Sequence, residues 1–480
     1  MEKNSIVESV LNLHSNQLNS SSQDTGLVTL SKDGYEKISS LTLYVPENIN
    51  IDRLLDENPP DFKYKRDCFV YILHLITSIP AGKRDIIDNS QGFTPINKKF
   101  LQARIHNYNE YINYLKRHRI IEENRQYKPG KFSRGLKFAQ AYQSKVIPVR
   151  ITEWTLIKNI EYLNRNYNVE LTEELSYLKR WFNDELEIDY EGGINYLNEL
   201  YESELCNGET SEIMLRYNSR LLPFLRLKNK EFSFHVDNTG FRLHTNITQL
   251  MGGLRRFVKY GGKRLCAIDI KNSQPFLAIS LLDDDIFTKN NMDTKITNPK
   301  LTTLSNYPIM VVEKIRRVKN EPDVLQFIEN VASGNFYEGF ARVLIENGLV
   351  EPNSPEILRE QAKEITFCSI YSPNSLVSSS RYVQLFKELY PNVYSIFKLI
   401  KKGHGNHPAF SICLQRLEAE LVLHKVCKVV SDEMPDVFIT TLHDSVITTE
   451  DNVEYVESIM YNVLKEFIGV EPKLKRERWN

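Results

Sequence analysis

Two acidic residues at the ends of apolar runs are the first candidates for chemistry. RLCAIDI, residues 264–270, reads as a buried strand that delivers Asp269 at its end, and after polar KNSQ the run PFLAISLL starts a helix. MPDVFITTLHDSVITTE, residues 434–450, has two β-prone runs around a polar His443-Asp444-Ser445 step. That is a hairpin pattern with Asp444 at the turn. A lone aspartate after a strand most often caps a helix. Two carboxylates on neighbouring strands can instead bridge divalent ions about 3.5–4 Å apart. Magnesium takes oxygen ligands, so the backbone carbonyl of Ile270 joins Asp269 and Asp444 as a candidate ligand, with Mn2+ as a substitute for Mg2+. Without a cation, adjacent ionised acids repel. His443 either supports the turn or approaches a strand terminus. A zinc centre needs more local ligands than either segment supplies.

Between these acids lies ILREQAKEITFCSIY, residues 357–371, where Arg359, Lys363, Phe367 and Tyr371 recur every fourth residue. That spacing lays them along one slowly drifting helical stripe. Two cations followed by two aromatics suit a nucleoside triphosphate: Arg359 and Lys363 for phosphates, Phe367 for sugar or base, Tyr371 for the templating end. The plain alternative is a helix with a solvated cationic end and a buried aromatic end.

The elements that must position these residues fall into four stretches. Residues 1–60 carry little pattern, and 17–24 are polar. Residues 61–149 open with FKYKRDCFVYILHLITSI, expected to be a helix ending before Pro80. A second amphipathic helix is expected from Lys98 to about Lys116. RIIEENRQYKPGKFSRGLKFAQAY then reads as strand, basic Pro-Gly turn and strand. Helix, strand, basic turn, strand is the order of a winged helix. Its tip residues Arg125, Lys128, Lys131 and Arg134 would meet nucleic-acid phosphates, with Arg117, Arg119 and Lys137 nearby. The alternative is a solvated hairpin on a helical domain. Residues 150–230 read as helices, thumb-like or scaffold, punctuated by Gly192-Gly193 and Gly208 and bounded near Pro223. From about 231 to 480, strands and helices alternate, giving an α+β class overall.

Composition narrows the setting. The 480 residues carry 61 Lys+Arg against 62 Asp+Glu, a net charge of −1. That excludes a small, uniformly basic binding module but allows a basic groove beside acidic regions. The six cysteines form no CxxC, so free thiols in a reducing compartment are expected. No run of about 18 apolar residues appears, which predicts no membrane partner and an intracellular setting, cytoplasmic or host-cell cytoplasmic.

Taken together, these motifs resemble the family A DNA polymerases and the related single-subunit RNA polymerases over about residues 230–480. Asp269 is similar to their motif A aspartate, Arg359-Lys363-Phe367-Tyr371 to the fingers helix, and His443-Asp444-Ser445 to motif C. HDS is nearer the RNA-polymerase form than the HDE common in DNA polymerases. TGFRLHT, residues 239–245, resembles the family's TGR-L region with one residue inserted, which assigns Arg242 to primer–template or phosphates. SICLQRLEAE, residues 411–420, resembles the glutamine helix, with Gln415 facing the primer or minor groove.

The resemblance implies a right-hand polymerase with palm and fingers. It would transfer nucleotides from nucleoside triphosphates to a primer or nascent 3′-hydroxyl on a DNA template by two-metal catalysis. A direct count from Asp269 puts Gln274 at the sugar-selecting position, while a gapped match puts Phe276 there. Either side chain can crowd a ribose 2′-OH, which favours dNTPs, while Gln274 can also hydrogen-bond to it. An RNA polymerase or primase using rNTPs is the nearest rival, and a catalytically inactive DNA-binding replication initiator is the rival from another class. No paired-acid proofreading signature is recognisable in the first half.

Overall fold

A computed structural model of the chain describes residues 29–30, 36–37, 39–124, 135–163, 168–208, 212–284, 286, 309–403 and 408–480. It has a mixed α+β fold with a curled antiparallel sheet and many helices.

The N-terminal region packs a core of its own around a long helix. Strand β1 (Leu41–Pro46) precedes helix α1 (Arg66–Gly82). Next come β2 (Thr94–Pro95), α2 (Lys98–Arg104), α3 (Tyr108–Arg117), β3 (Ile121–Asn124), β4 (Gly135–Phe138) and β5 (Val146–Ile151). β1 pairs antiparallel with β5, and β2, β4 and β3 form a three-stranded antiparallel sheet in that order.

Two expectations are corrected here. α1 does not stop before Pro80 but runs through it to Gly82. A proline lacks the N–H that would bond the carbonyl four residues back. That carbonyl, on Ile76, accepts instead from the Thr94 hydroxyl at 2.7 Å, so the helix continues without a buried orphan. The helix expected from Lys98 to Lys116 is two, α2 and α3, because Ile105 turns extended at φ −131°.

The strand–turn–strand segment forms the β3–β4 pair. Its basic tip, with Arg125, Lys128, Lys131 and Arg134, lies outside the described residues. Lys137 lies 3.7 Å from Glu212 and 3.8 Å from Glu122, and it sits over the Phe93 ring.

Most of the remaining described residues share a larger core that runs from Leu171 to Trp479 and also takes in Tyr44, Ala81 and Val146. Strand β6 (Leu186–Ile188) interrupts the stretch expected to be mostly helical. Gly192 and Gly193 sit inside the helix Tyr190–Cys206 instead of ending it, with the Asp189 side chain accepting from Gly192 N. Gly193 is required by packing: a Cβ there would come within 2.2 Å of the Phe224 ring. Pro223 is likewise interior to helix α4 (Ile213–Lys228).

Then follow the hairpin β7 (Phe234–Val236) and β8 (Leu243–Thr245), and strands β9 (Val258–Tyr260) and β10 (Lys263–Ile270). Helix α5 (Ser273–Ile279) leaves β10 directly. A helical block includes α6 (Pro322–Ala332), α7 (Phe336–Glu346), α8 (Pro355–Tyr371) and α9 (Pro408–Ala419). The chain closes with β11 (Ile439–Leu442), β12 (Ser445–Thr449), α10 (Val453–Ile468) and β13 (Leu474–Arg478).

The principal sheet has the order β11-β12-β10-β9-β6, with β13 also pairing β10. β10 is buried through Leu265–Ile268, as its unbroken apolar run requires. Six cysteines are free; Cys68, Cys266, Cys413 and Cys427 are buried and Cys206 is exposed. Among the described residues no helix is long and apolar enough to cross a membrane.

Candidate functional site

Register on the principal sheet decides the site. β10 and β12 run antiparallel with Ile268 opposite Val446. The next step sets Asp269 beside Ser445, whose Oγ donates to Asp269 Oδ1 at 2.7 Å. Leu442 pairs with Ser445, so His443 and Asp444 form a two-residue turn. His443 takes φ 56°, a left-handed conformation that glycine or asparagine adopts more readily in such turns. This strained turn carries Asp444 to the carboxyl end of β10.

The two acids perturb one another. Burial pushes the half-buried Asp444 carboxyl up to about 7, with the negative charges of Glu418 and Asp269 adding to it and the Ser273 hydroxyl opposing. Burial also raises Asp269, against the Ser445 hydrogen bond; Glu477 raises it further, while Lys475 and Arg359 lower it. Lys475 stands opposite Asp269 on β13. Ile270, paired with Leu474, has a buried side chain.

Among the described residues no group of three or more His, Cys, Asp or Glu is gathered as a metal-binding cluster. A pair of crowded carboxylates whose ionisation is opposed by neighbouring acids is nonetheless a fitting donor set for a hard divalent cation. Such a cation relieves the same repulsion.

A buried polar chain adjoins the pair. Glu418, 2% exposed on α9, accepts from Arg242 Nε and Nη2, both at 2.9 Å. It also accepts from Gln274 Nε2 at 2.8 Å, and Gln274 Oε1 accepts from the Tyr371 hydroxyl at 2.6 Å. The two ends of the Gln274 amide are thereby fixed by a donor and an acceptor. Phe276, the gapped-match alternative to Gln274, is 1% exposed in the core.

Arg242 is presented by the β7–β8 loop. Asp237 accepts there from the backbone N–H of Thr239, Gly240 and Arg242 and lies 3.1 Å from His244. Burial raises Asp237, but His244 and those N–H groups outweigh it and hold it at about 2. Gln415 packs against the same loop, since a Cβ on Gly240 would lie 2.6 Å from its Oε1. Arg416 donates to Thr239 O at 2.8 Å. His443 has an open surface, yet desolvation, with Arg242, His244 and Arg255, holds its imidazole below the usual value.

The cationic stripe lies along α8. Arg359 donates to Glu338 at 3.0 Å and sits 5.2 Å from the Tyr337 ring centre. Its charge reaches Asp269. Among the described residues, Lys363 is held by a 3.5 Å contact to Glu360. The Phe367 and Tyr371 rings are 5.6 Å apart. The stripe therefore meets the carboxylate pair through Arg359 at one end and through Tyr371–Gln274–Glu418 at the other.

Glu418, Tyr337 and Asp237 escaped sequence reasoning. Glu418 lies three positions after Gln415 on one helix, a spacing that puts both on one face and would have pointed to it. Asn272, between Asp269 and α5, had no such signal. It is 3% exposed at φ 53°, and among the described residues neither side-chain amide atom has a hydrogen-bond partner.

No family model matches the chain, and no curated protein matches it. Among solved structures, it is similar to the POL domain of Pol1 from M. smegmatis in complex with DNA primer-template and dNTP. The similarity covers 67% of this chain and 71% of that one, at 9% sequence identity and a TM-score of 0.29. Likeness this slight leaves function to the side chains.

Proposed function

We propose that the chain is a template-directed nucleotidyltransferase, a DNA polymerase in preference to an RNA polymerase or primase. The observation that carries the reading is the register that brings Asp269 and Asp444 to one end of β10, joined through Ser445. Asp269, Asp444 and the carbonyl of Ile270 would hold magnesium. When bound, it would acidify the attacking hydroxyl and offset charge at the transferring phosphorus.

The chain's own groups do the positioning. Arg359 and Lys363 hold the triphosphate, and Phe367 and Tyr371 offer faces to sugar and base. Gln274, immobilised by Tyr371 and Glu418, crowds the sugar edge and disfavours a 2′-OH. Arg242, Gln415 and His443 face the primer–template end. The growing 3′-hydroxyl attacks the α-phosphate and pyrophosphate leaves.

Primer extension on defined DNA and RNA templates, with dNTPs or rNTPs and with or without primer, tests this. Asp269→Asn and Asp444→Asn should each lower extension by roughly 10³-fold while leaving nucleic-acid binding in place. Normal extension by either variant overturns the proposal. Primer-independent product from rNTPs selects the primase reading, and binding without synthesis selects an inactive initiator.

A further inference from the structure

Asp269 has a second set of neighbours, on the side of β10 away from Asp444. β13 pairs there antiparallel, with Lys475 opposite Asp269 and Leu474 opposite Ile270. The Lys271 N–H donates to Lys473 O at 2.9 Å, which carries the register one step further. Side chains alternate between the faces of a sheet, and directly opposed residues share a face. Asp269, Lys271, Lys473 and Lys475 therefore stand on one face, at the carboxyl end of β10.

Two of these lysines have their stems pinned. Gly334, in the turn between α6 and α7, takes φ 79°, and a Cβ there would lie 3.0 Å from Lys473 Cβ and Cγ and 3.3 Å from Lys271 Cδ. Glycine allows both that backbone conformation and so close an approach. Lys473 stays exposed and Lys271 half-buried, which leaves both ammonium groups to solvent. Edge strands commonly carry lysine to block further pairing. That reason covers β13, but Lys271 continues β10, an interior strand. Nearby acids do not answer the pair. Glu477 shares the face but stands opposite Ala267, beyond Lys475, and Glu471 is taken by Lys465 at 2.8 Å. Among the described residues no carboxylate lies within ion-pair distance of Lys271 or Lys473.

The same turn serves Arg359. The Tyr337 ring, three residues after Gly334, lies 5.2 Å from the Arg359 guanidinium, and Glu338 accepts from Arg359 Nε at 3.0 Å. Residues 334–338 can span at most about 14 Å. The lysine pair and Arg359 thus border one short segment beside Asp269.

We infer that Lys271 and Lys473 form a second phosphate grip, alongside Arg359, for the β- and γ-phosphates of the incoming nucleotide. The inference rests on the nucleotidyl-transfer reading and adds two cations from the sheet to those on α8. As the bond between the α- and β-phosphates breaks, negative charge gathers on the leaving pyrophosphate, and the two ammonium groups stabilise it there. A polyphosphate concentrates more charge than a single phosphodiester, so it gains more from paired point charges.

Isothermal titration of the full chain with inorganic tripolyphosphate, in magnesium buffer, reads this grip without any nucleic-acid strand. The double variant Lys271→Gln/Lys473→Gln keeps both stems and should bind tripolyphosphate about tenfold more weakly than the wild type. Each single variant should lose less, and Lys271→Arg/Lys473→Arg should retain most of the affinity. Binding of a labelled duplex with a recessed 3′ end, followed by fluorescence anisotropy, should stay unchanged in the double variant. Equal tripolyphosphate affinity for wild type and double variant overturns the inference, as does a loss confined to the duplex. If primer extension proceeds with an unaltered KM for nucleotide in the double variant, the grip falls and the nucleotidyl-transfer reading stands. Lysine-dependent tripolyphosphate binding by a wild type that extends no primer keeps the phosphate site and removes the catalytic reading.

Discussion

Glu418 has the heaviest electrostatic task of any single residue in the site. It is almost fully buried and answers Arg242 through both oxygens while holding Gln274. It is also the strongest neighbouring charge raising Asp444. Removing one partner of such a pair leaves a buried charge uncompensated, which costs about 3–5 kcal/mol. Glu418→Gln should therefore lower unfolding free energy by that order in urea denaturation, and an unchanged midpoint would show that solvent screens the pair. At the same scale, the asymmetry of the Gln274 amide matters. With Nε2 turned to Glu418 and Oε1 to Tyr371, the side chain is held in one orientation, as the proposed sugar-selecting role requires.

At the scale of elements, α1 is informative because it breaks a local rule and is repaired from outside. Pro80 would ordinarily stop the helix. The repair is the Thr94 hydroxyl on Ile76 O, supplied by β2, an element 18 residues away. Thr94→Val keeps the shape and removes the donor, leaving a buried carbonyl unsatisfied at a cost of about 1–3 kcal/mol. Denaturant unfolding should show that loss, and amide exchange should speed up in the last turn of α1 before it does elsewhere. The β11–β12 turn follows the same logic. A histidine occupies a left-handed position there because flanking strands fix the register, and the strain is sited where Asp444 has to stand.

At the scale of the whole molecule, the two cores are tied through Tyr44. Its hydroxyl donates to Glu231 Oε1 at 2.7 Å and accepts from Asn229 Nδ2 at 3.1 Å, while its backbone N–H donates to Nδ1 of buried His74 at 3.0 Å. Burial, with Arg226, pushes the His74 imidazole down to about 3. The unfolded chain then binds a proton that the folded chain refuses at every pH between about 3 and the ordinary histidine value near 6.5. Stability is complete above that upper limit and falls as pH drops below it, by about 1.4 kcal/mol per pH unit from this residue. His74→Asn, which keeps an acceptor near the Nδ1 position, should flatten the acid side of a stability profile between pH 6 and 4. An identical slope in both proteins would assign the acid sensitivity elsewhere.

Local order was legible in the amino-acid sequence wherever the signal was periodic. The four-residue recurrence along α8, the apolar run of β10 and the hairpin around His443-Asp444 each depend on neighbours within a few residues. Breaks and insertions were less legible. The division of α2 from α3, the strand β6 and the passage of α4 through Pro223 depend on what packs against them. The basic wing tip lies outside the described residues. Ser445 and Asp269 are 176 positions apart, and Arg242 and Glu418 are likewise 176 apart. No periodicity spans such distances. The residue types and their local shapes were therefore present in the sequence itself. Which acid stands beside which cation was decided only by tertiary structure, because charge and desolvation act through space and not along the chain.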